Sequence, residues 1–334
     1  MNIQMRMAAK SKFTCKMKNN RVLASFLIIL LTSCSSNAKP IESKIFCFDT
    51  FVGITLYDGE KNNIIDIEGI IKKYDELADN YRARDVNNVY TINSTSEAVQ
   101  IDEGLYKMLQ KSVEVRNKGA DYFNPLCGSL AKKWKEALAE KTTLSEETIS
   151  LELAKIATSD LSFLDNSTVK RNGEGEIDLG GITKGYTLDV VKTYLDENNL
   201  KQYLINGGSS SILLGEKDTK DGLFTVGLKD VKNAYIKVKN CFVSTSGVSE
   251  QFVEIDGVKY THIVNPLNGK ANHQYDSVVV ITDSGYYGDA LSTSMMMNTL
   301  DEIKEIEDKY GVKAIVVKDN KITYQNSSLE VLYH

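Results

Sequence analysis

The chain has 334 residues, of which 40 are Lys or Arg and 45 are Asp or Glu. This acidic balance argues against nucleic acid as a partner, because binding to phosphate backbones depends on basic side chains. About 300 residues remain beyond a predicted leader, enough to bury a large core in one big domain or in two.

The N-terminal segment has the pattern of a lipoprotein signal peptide. Residues 1–21 contain six basic side chains and no acid, and a ten-residue run that is apolar except for Ser25 follows up to Leu31. That run is about half of the roughly 20 residues that a helix needs to span a bilayer. Leu31-Thr32-Ser33-Cys34 then resembles a bacterial lipobox. We predict a signal peptide over residues 1–33 and lipidation of Cys34, which would anchor the protein on the extracytoplasmic side of the cell membrane. A short signal anchor with a coincidental cysteine is the alternative.

Removal of the leader leaves a strongly acidic chain. Its net charge becomes −11, because the leader takes six basic residues and no acid. Attachment to an anionic lipid surface would therefore depend on the acyl chain and not on charge. We predict a tether over residues 34–44 and the folded domain over residues 45–334. The cysteines beyond Cys34 lack zinc-site spacing and are compatible with one disulfide or with three buried thiols: Cys47, Cys127 and Cys241.

Helical periodicity marks the first half of the domain. Apolar residues recur every three or four positions from Ile64 to Leu77, which predicts a helix. Ser145, followed by two glutamates, predicts the N-cap of a helix that reaches Ile156. A further helix is predicted over Thr183–Leu195. A four-residue spacing predicts another helix after Pro125, with one buried stripe: Leu126, Leu130, Trp134 and Leu138.

Strand patterns dominate after residue 200. Asp256-Gly257 predicts a tight hairpin turn, residues 289–310 return to a helical pattern, and the last hairpin joins Val312–Val317 to Ile322–Tyr324. We predict an α+β fold with a mostly antiparallel sheet and flanking helices. The predicted strands before the final helix are Tyr203–Ile205, Ser211–Leu214, Phe224–Leu228, Ala234–Val238, Phe252–Ile255, Tyr260–Val264 and Ser277–Ile281.

Residues 177–189, with the sequence IDLGGITKGYTLD, form the most informative segment. Gly180 and Gly181 lack a Cβ, so the backbone there can approach a ligand closely. The start of the following helix offers N–H groups to an anion, and Lys184 adds a positive charge. Asp178 lies across the turn, where it can orient a polar ligand or hold a metal. An ordinary strand–turn–helix junction is the alternative.

Several loops rich in glycine and hydroxyl side chains follow, each of which also fits simple turn chemistry. Together and in order, these segments resemble the ApbE family, the FAD:protein FMN transferases. The resemblance extends from about Phe46 to the C-terminus. The motifs that carry it are Asp178–Tyr186 (DLGGITKGY), Ile205–Gly208 (INGG), Ser244–Gly247 (STSG), His262–Gly269 (HIVNPLNG) and Gly288–Thr293 (GDALST).

The sequence departs from the family pattern at a few positions. Ile205 replaces Asn, and Gly288 replaces Ala. Upstream, Phe48 and Asp49 occupy the Met and Gly places of a Met-Gly-Thr motif. Asn124 stands where the family usually has Asp, in the segment Tyr122–Pro125, so a neutral amide replaces a carboxylate at one of the implied FAD contacts.

The resemblance implies a single large ApbE-like domain and a Mg²⁺-dependent enzyme. Such enzymes cleave FAD, release AMP and attach FMN to a Thr or Ser hydroxyl of a partner redox protein. Asp289 and Thr293 are four residues apart on a predicted helix and share one face. The resemblance implies that they bind the metal together with the carbonyl of Gly181 and with Ser292. Asp289 also fits a helix-start acid that interacts with the helix dipole. The implied FAD-binding residues are Phe48, Tyr81, Tyr122, Phe123, Asn124, Asp178, Lys184 and Ile263.

His262 is the candidate general base. Its ordinary pKa near 6.5 suits proton transfer at neutral pH, and it begins a motif of the family. A structural histidine is the alternative for this residue. Two other functions are alternatives: a Mg²⁺-dependent FAD pyrophosphatase with the same site residues, in which water replaces the acceptor, and a lipoprotein that only binds flavin.

Overall fold

A computed structural model describes residues 39–208, 210–248, 252–271 and 273–334. Lys39 to His334 form one compact unit, which confirms a single domain. The predicted signal peptide and Cys34 lie outside the described residues. Within the described ranges, no helix is long and apolar enough to cross a bilayer.

The helices lie mainly where the apolar periodicity predicted them. Ile64, Ile67 and Leu77 are buried on one face of the first long helix, and the hydroxyl of Ser145 accepts the N–H of Thr148 as an N-cap does. The helices are α1 (Lys61–Ala78), α2 (Val89–Asn93), α3 (Glu103–Asn117), α4 (Gly128–Ala139), α5 (Glu146–Ala157), α6 (Thr183–Glu197), α7 (Gly285–Met295) and α8 (Leu300–Tyr310).

The strands pair antiparallel throughout the described sheets, which confirms the predicted α+β class. They are β1 (Ile41–Cys47), β2 (Thr50–Leu56), β3 (Val99–Gln100), β4 (Asp160–Leu164), β5 (Thr168–Asn172), β6 (Tyr203–Gly207), β7 (Ser211–Leu214), β8 (Phe224–Gly227), β9 (Ala234–Val238), β10 (Cys241–Gly247), β11 (Phe252–Ile255), β12 (Val258–Thr261), β13 (Ser277–Thr282), β14 (Lys313–Lys318), β15 (Lys321–Gln325) and β16 (Leu332–Tyr333). The main sheet has the order β1-β2-β6-β7-β10-β13-β14-β15, and smaller sheets have the orders β16-β9-β8, β3-β5-β4 and β11-β12.

Strand β13 shows how the main sheet is covered on both faces. All of its residues are buried, and successive side chains point to opposite faces. Val278 and Val280 pack in the cluster that contains α7 and α8 residues, whereas Val279 and Ile281 pack against the small sheet of β8 and β9. A strand buried on both sides loses the polar–apolar alternation, which explains its continuous apolar sequence.

Several element ends differ from the predictions. Strand β1 begins at Ile41, inside the predicted tether, because residues 41–44 pair with β2. Strand β12 ends at Thr261, so residues 262–264 form a loop. The predicted helix over residues 289–310 is two helices, and the first of them already begins at Gly285. The second begins anew because Thr299 and Glu302 form a capping box.

The three described cysteines are free thiols: Cys47, Cys127 and Cys241. Burial raises the pKa of the Cys47 thiol to about 11, and of the other two to about 12. Thiols that stay protonated at neutral pH are poor nucleophiles. The alternative of three unreactive free thiols therefore fits the structure, in which Cys47 is buried and the other two are half-buried.

Candidate active site

A cleft opens where loops from both halves of the chain meet the segment Asp289–Thr293 of α7. Most of the predicted site residues line it: Tyr122, Phe123, Asn124, Asp178, Gly181, Lys184, His262, Ile263, Asp289, Ser292 and Thr293. The structure therefore brings together residues that lie up to about 170 positions apart in the sequence. Gly180, Ser210, Ser211 and the segment Thr245–Gly247 complete parts of the wall.

The glycine turn before α6 forms one wall of the cleft. The Asp178 side chain folds back and accepts the N–H of Gly180 at 2.7 Å, which fixes the turn as an Asx turn. A Cβ at Gly181 would lie 3.2 Å from the Phe123 ring, so glycine is needed for the close approach of backbone to ring. Two helix-start N–H groups already have protein acceptors, namely those of Thr183 and Gly185. The side chain of Lys184 therefore carries the positive charge at this wall.

Asp289 lies inside α7 and is buried, with 7% of its surface exposed. Its Oδ1 accepts hydrogen bonds from Ser211 Oγ at 2.7 Å and Ser244 Oγ at 2.8 Å. Its Oδ2 accepts the N–H of Gly185 at 2.6 Å. The alternative of an exposed acid at a helix start is thus wrong, because α7 begins four residues earlier and β7, β10 and α6 cover this position.

Burial raises the pKa of the Asp289 carboxyl, while the nearby Lys184 ammonium and the three hydrogen bonds oppose that rise. The desolvated carboxylate is thus compensated by one cation and by three fixed donors. This arrangement places a positive and a negative group together at the floor of the cleft.

Hydroxyl oxygens extend from Asp289 along one face of α7. Thr293 Oγ1 and Ser292 Oγ each donate to the Asp289 backbone carbonyl at 3.0 Å. Asp289 and Thr293 both line the cleft, as the spacing of four residues on one helix predicted. Ser246 Oγ from β10 lies 3.0 Å from Ser292 Oγ and 3.1 Å from Thr293 Oγ1. A Cβ at Gly181 would be 3.7 Å from Thr293 Oγ1, which places the glycine turn beside these hydroxyls.

This donor set fits a hard cation. A carboxylate offers about four lone-pair positions, and the three hydrogen bonds to Asp289 leave one of them on Oδ2. Among the described residues, no group of three His, Cys, Asp or Glu side chains forms a protein metal cage. Mg²⁺ is commonly bound in this manner, through one or two carboxylates with phosphate and water as its other ligands.

His262 lies at the mouth of the cleft and is exposed. It directly follows β12, whose last residue, Thr261, is buried and accepts the N–H of Ile263 on its hydroxyl at 3.2 Å. The indole of Trp134 donates to the Gly269 carbonyl at 2.7 Å and stacks on Tyr260. The loop that carries His262 is thus attached to α4 at both ends.

The predicted flavin-binding residues divide into two groups. Tyr122, Phe123 and Ile263 form an apolar part of the lining. Asn124 uses its Oδ1 to accept the N–H of Leu126 at 3.0 Å, a bond that an Asp in its place would also make. The side-chain amide of Asn124 therefore preserves the hydrogen bond that stabilises this turn, although it lacks the negative charge of an aspartate.

Phe48 and Tyr81 are not among the residues that line the cleft. Phe48 lies in the turn between β1 and β2 with φ of 55°, and its N–H donates to Asp75 at 2.6 Å. Tyr81 is half exposed, with the ammonium groups of Lys132 and Lys135 5.4 and 4.6 Å from its ring centre. These positions remain predicted FAD contacts that the described cleft does not include.

Three further residues support the site, and their roles were not predictable from the sequence. Ser211 and Ser244 bind the carboxylate of Asp289. Ser244 begins one of the recognised motifs, whereas Ser211 was predicted only as the first residue of a strand. Asp189 ends the IDLGGITKGYTLD segment and accepts the N–H groups of Gly285 and Tyr286, each at 2.8 Å. Residue spacing could not indicate these hydrogen-bonded pairs, because the two partners of each pair lie 45 to 97 residues apart in the sequence.

Comparison with known proteins identifies the relatives of this chain. A relative from Treponema pallidum, named FAD:protein FMN transferase, is 29% identical over 60% of this chain and 61% of its own length. A second protein of that name, from Klebsiella pneumoniae, is 27% identical over 83% of each chain. The crystal structure of the ApbE protein from Thermotoga maritima superposes with a TM-score of 0.75 at 24% identity, covering 87% of this chain and 98% of that one. The match to the Treponema relative thus spans less than two thirds of that protein.

The likeness to the Thermotoga structure establishes the fold. The model of the ApbE family matches residues 48–316, a range that includes every residue of the cleft described above. On this evidence the chain belongs to the ApbE family.

Proposed function

We propose that this protein is a flavin transferase that cleaves FAD and attaches FMN to a Thr or Ser hydroxyl of an extracytoplasmic or membrane redox protein. The observation that carries the proposal is the cleft itself. It combines an ammonium group, a buried carboxylate and an exposed histidine in a member of a family whose relatives bear the name FAD:protein FMN transferase. In the reaction the acceptor oxygen bonds to the flavin-side phosphorus, the pyrophosphate bond breaks, and AMP leaves.

The reaction moves a phosphoryl group between oxygens, so it depends more on charge neutralisation and positioning than on covalent help. We assign Asp289, Thr293, Ser292 and the carbonyl of Gly181 to a Mg²⁺ ion. When bound, that ion would neutralise charge on the pyrophosphate. Lys184, which lies near Asp289, contributes a second positive charge, and Asp178 holds the turn before its helix.

His262 is assigned as the base that takes the proton of the acceptor hydroxyl. A neutral hydroxyl is a weak nucleophile and needs proton removal. The exposed position of His262 supports this role, because a side chain on another folded protein can reach the mouth of a cleft but not its floor. The apolar lining of Tyr122, Phe123 and Ile263 would hold the flavin ring nearby.

Hydrolysis of FAD is the second candidate function. The same exposure that admits an acceptor also admits water, so a Mg²⁺-dependent pyrophosphatase would use the same groups. A protein that only binds flavin is less well supported, since storage has no need for a desolvated carboxylate held by three donors.

We also propose that Cys34 carries the lipid that anchors the protein outside the cytoplasmic membrane. The support is the basic, apolar and Leu-Thr-Ser-Cys sequence of residues 1–34. This anchor would keep the enzyme close to membrane-bound redox proteins.

The test compares products under identical conditions. Purified protein is incubated with FAD, Mg²⁺ and a membrane extract of the source organism, and products are followed by liquid chromatography and by flavin fluorescence in denaturing gels. Fluorescent protein bands with AMP indicate transfer, and FMN with AMP but no labelled band indicates hydrolysis. Unchanged FAD would refute both enzymatic functions. The variant His262→Asn is compared with His334→Asn, the same change at the C-terminal residue, which stacks on Tyr235.

A further inference from the structure

Helices α6 and α7 share an unusual capping arrangement. Neither has a side-chain cap hydrogen bond from its own N-cap residue, Ile182 or Ser284. The first N–H groups of a helix need acceptors from elsewhere. For α7 these come from the carboxylate of Asp189 on α6, and for α6 the N–H of Gly185 is accepted by the carboxylate of Asp289 on α7. Each helix therefore caps the other.

The two helices also touch through backbone alone. A Cβ at Gly185 would lie 2.0 Å from the Gly285 carbonyl oxygen, and a Cβ at Gly285 would lie 2.2 Å from that of Gly185. Because the two backbones touch directly, no side chain lies between the helices whose rotamer could change their separation. The separation therefore depends on the hydrogen bonds at the crossing. Those bonds all end on the carboxylates of Asp189 and Asp289.

Only one of these carboxylates lines the cleft. Asp289 is in the lining, whereas Asp189 is not, and no substrate contact has been assigned to it. Asp189 is one turn and a half along α6 from Lys184, and it binds α7 one turn before Asp289. A carboxylate in this place acts on the site through both helices at once.

We propose that Asp189 is a positioning residue that fixes α7 against α6 and so sets the relation of Lys184 to Asp289, Ser292 and Thr293. This inference deepens the proposed function and rests on it for the kinetic arm of the test. Loss of the Asp189 carboxylate would let Lys184 on α6 shift relative to the metal-binding side chains on α7. The affinity for the metal and for the pyrophosphate would fall, although every residue assigned to contact these ligands is still present.

Asp189→Asn is the first variant, because it keeps the size of the side chain but gives only one accepting oxygen for two N–H groups. Asp58→Asn is the matched control. Asp58 accepts the backbone N–H groups of Lys201 and Gln202 at 2.8 and 3.0 Å, and it lies outside the cleft lining. At Asp58 one oxygen, Oδ2, accepts both N–H groups, whereas Asp189 uses Oδ1 for one and Oδ2 for the other. Asp58→Asn therefore controls for the loss of charge beside two consecutive N–H groups.

A second variant separates positioning from simple helix capping. Asp189→Asn combined with Ser284→Asp supplies α7 with an acceptor at its own N-cap, where residue 284 has the extended backbone that N-caps adopt. The local cap can restore stability to α7, but it cannot join α7 to α6. A merely structural role of Asp189 predicts full rescue, whereas a positioning role predicts rescue of folding alone.

Three readouts are taken for each protein: urea unfolding, FAD affinity by flavin fluorescence in EDTA, and the Mg²⁺ concentration that gives half-maximal FAD cleavage. We expect Asp189→Asn to raise that Mg²⁺ concentration about 10–100-fold, the usual loss when a residue that orients metal ligands is removed, and to weaken FAD binding. The double variant should unfold like the wild type while keeping these defects, and Asp58→Asn should show neither of them.

Unchanged Mg²⁺ dependence and FAD affinity in a folded Asp189→Asn protein would overturn the inference. So would the recovery of both in the double variant, which also provides a folded protein if the single variant unfolds. If the wild type itself cleaves no FAD, the proposed function has failed, and the fluorescence titration in EDTA still decides whether Asp189 positions the binding site.

Discussion

Replacement of Asp289 by Ala should cost far more stability than its sequence context suggests. An exposed acid at a helix start contributes about 0.3–1 kcal/mol through the helix dipole. In the structure, Asp289 is buried and accepts three hydrogen bonds, from Ser211, Ser244 and the N–H of Gly185. Alanine would leave all three donors buried without an acceptor, which costs about 1–3 kcal/mol each. It would also remove a desolvated charge, and this favourable effect offsets part of that cost. We expect a net loss of about 3–5 kcal/mol, the range found when a buried ionic network loses one partner.

Urea unfolding followed by circular dichroism measures this loss, with Asp289→Asn as a milder variant that keeps one accepting oxygen. Ser244→Ala, alone and combined with Asp289→Asn, completes a double-mutant cycle, for which contacting residues show couplings of about 0.5–3 kcal/mol. FAD cleavage should be lost in both Asp289 variants even at urea concentrations where they remain folded. If Asp289→Ala unfolds within about 1 kcal/mol of the wild type, the carboxylate is not the centre of this network and the reasoning fails.

Further predictions concern the base, the anchor and an ion-pair cluster. His262→Asn should reduce transfer about 10²–10⁴-fold while FAD binding, measured by flavin fluorescence, persists; a wild-type rate would assign the base elsewhere. Cys34→Ala should release the protein from the membrane fraction of cells, and unchanged fractionation would refute the lipid anchor. Hydrogen bonds from lysines lower the pKa of Glu114 to about 2, so the stability it contributes is present above about pH 4.5 and is lost as the pH falls toward 2. Glu114→Gln should therefore reduce the dependence of the free energy of unfolding on pH in this window, and an unchanged dependence would contradict the prediction.

Regular elements could be predicted because their signals are local. The four-residue spacing correctly placed Leu130, Trp134 and Leu138 on the buried face of α4, but Leu126 lies before this helix, which begins at Gly128. Asp256-Gly257 predicted the β11–β12 turn, and both residues have positive φ angles, 51° and 77°, as a two-residue hairpin turn requires. Helix starts were less predictable. The start of α7 was missed because its capping acceptor is Asp189, which belongs to another helix.

The site was predictable as a set of motifs but not as a geometry. The family resemblance correctly grouped residues from Tyr122 to Thr293 around one cleft. It did not indicate that Asp289 is buried beneath β7 and β10, since burial depends on elements far away in the sequence. Phe48 and Tyr81 are the positions that the cleft does not include. Phe48 itself is a departure from the family pattern, because Phe48 and Asp49 occupy the Met and Gly places of a Met-Gly-Thr motif.

Gly185→Ala provides a final test of the crossing between α6 and α7. The added Cβ would lie 2.0 Å from the Gly285 carbonyl oxygen and 2.9 Å from Asp289 Cγ, so the helices must separate to reach ordinary contact distance. Overpacking of this kind costs about 1–3 kcal/mol, and a shift near 1 Å at a reacting site costs about 10²-fold in rate.

Gly69→Ala is the matched control for this change. Gly69 is exposed on α1, and nothing lies within 4 Å of its added Cβ. The same chemical change should there raise the free energy of unfolding by about 0.4–1 kcal/mol, because alanine restricts the unfolded chain. The two substitutions should thus have opposite signs in urea unfolding, and only Gly185→Ala should slow FAD cleavage. Equal stability of the two variants would show that the helices do not meet through backbone at Gly185.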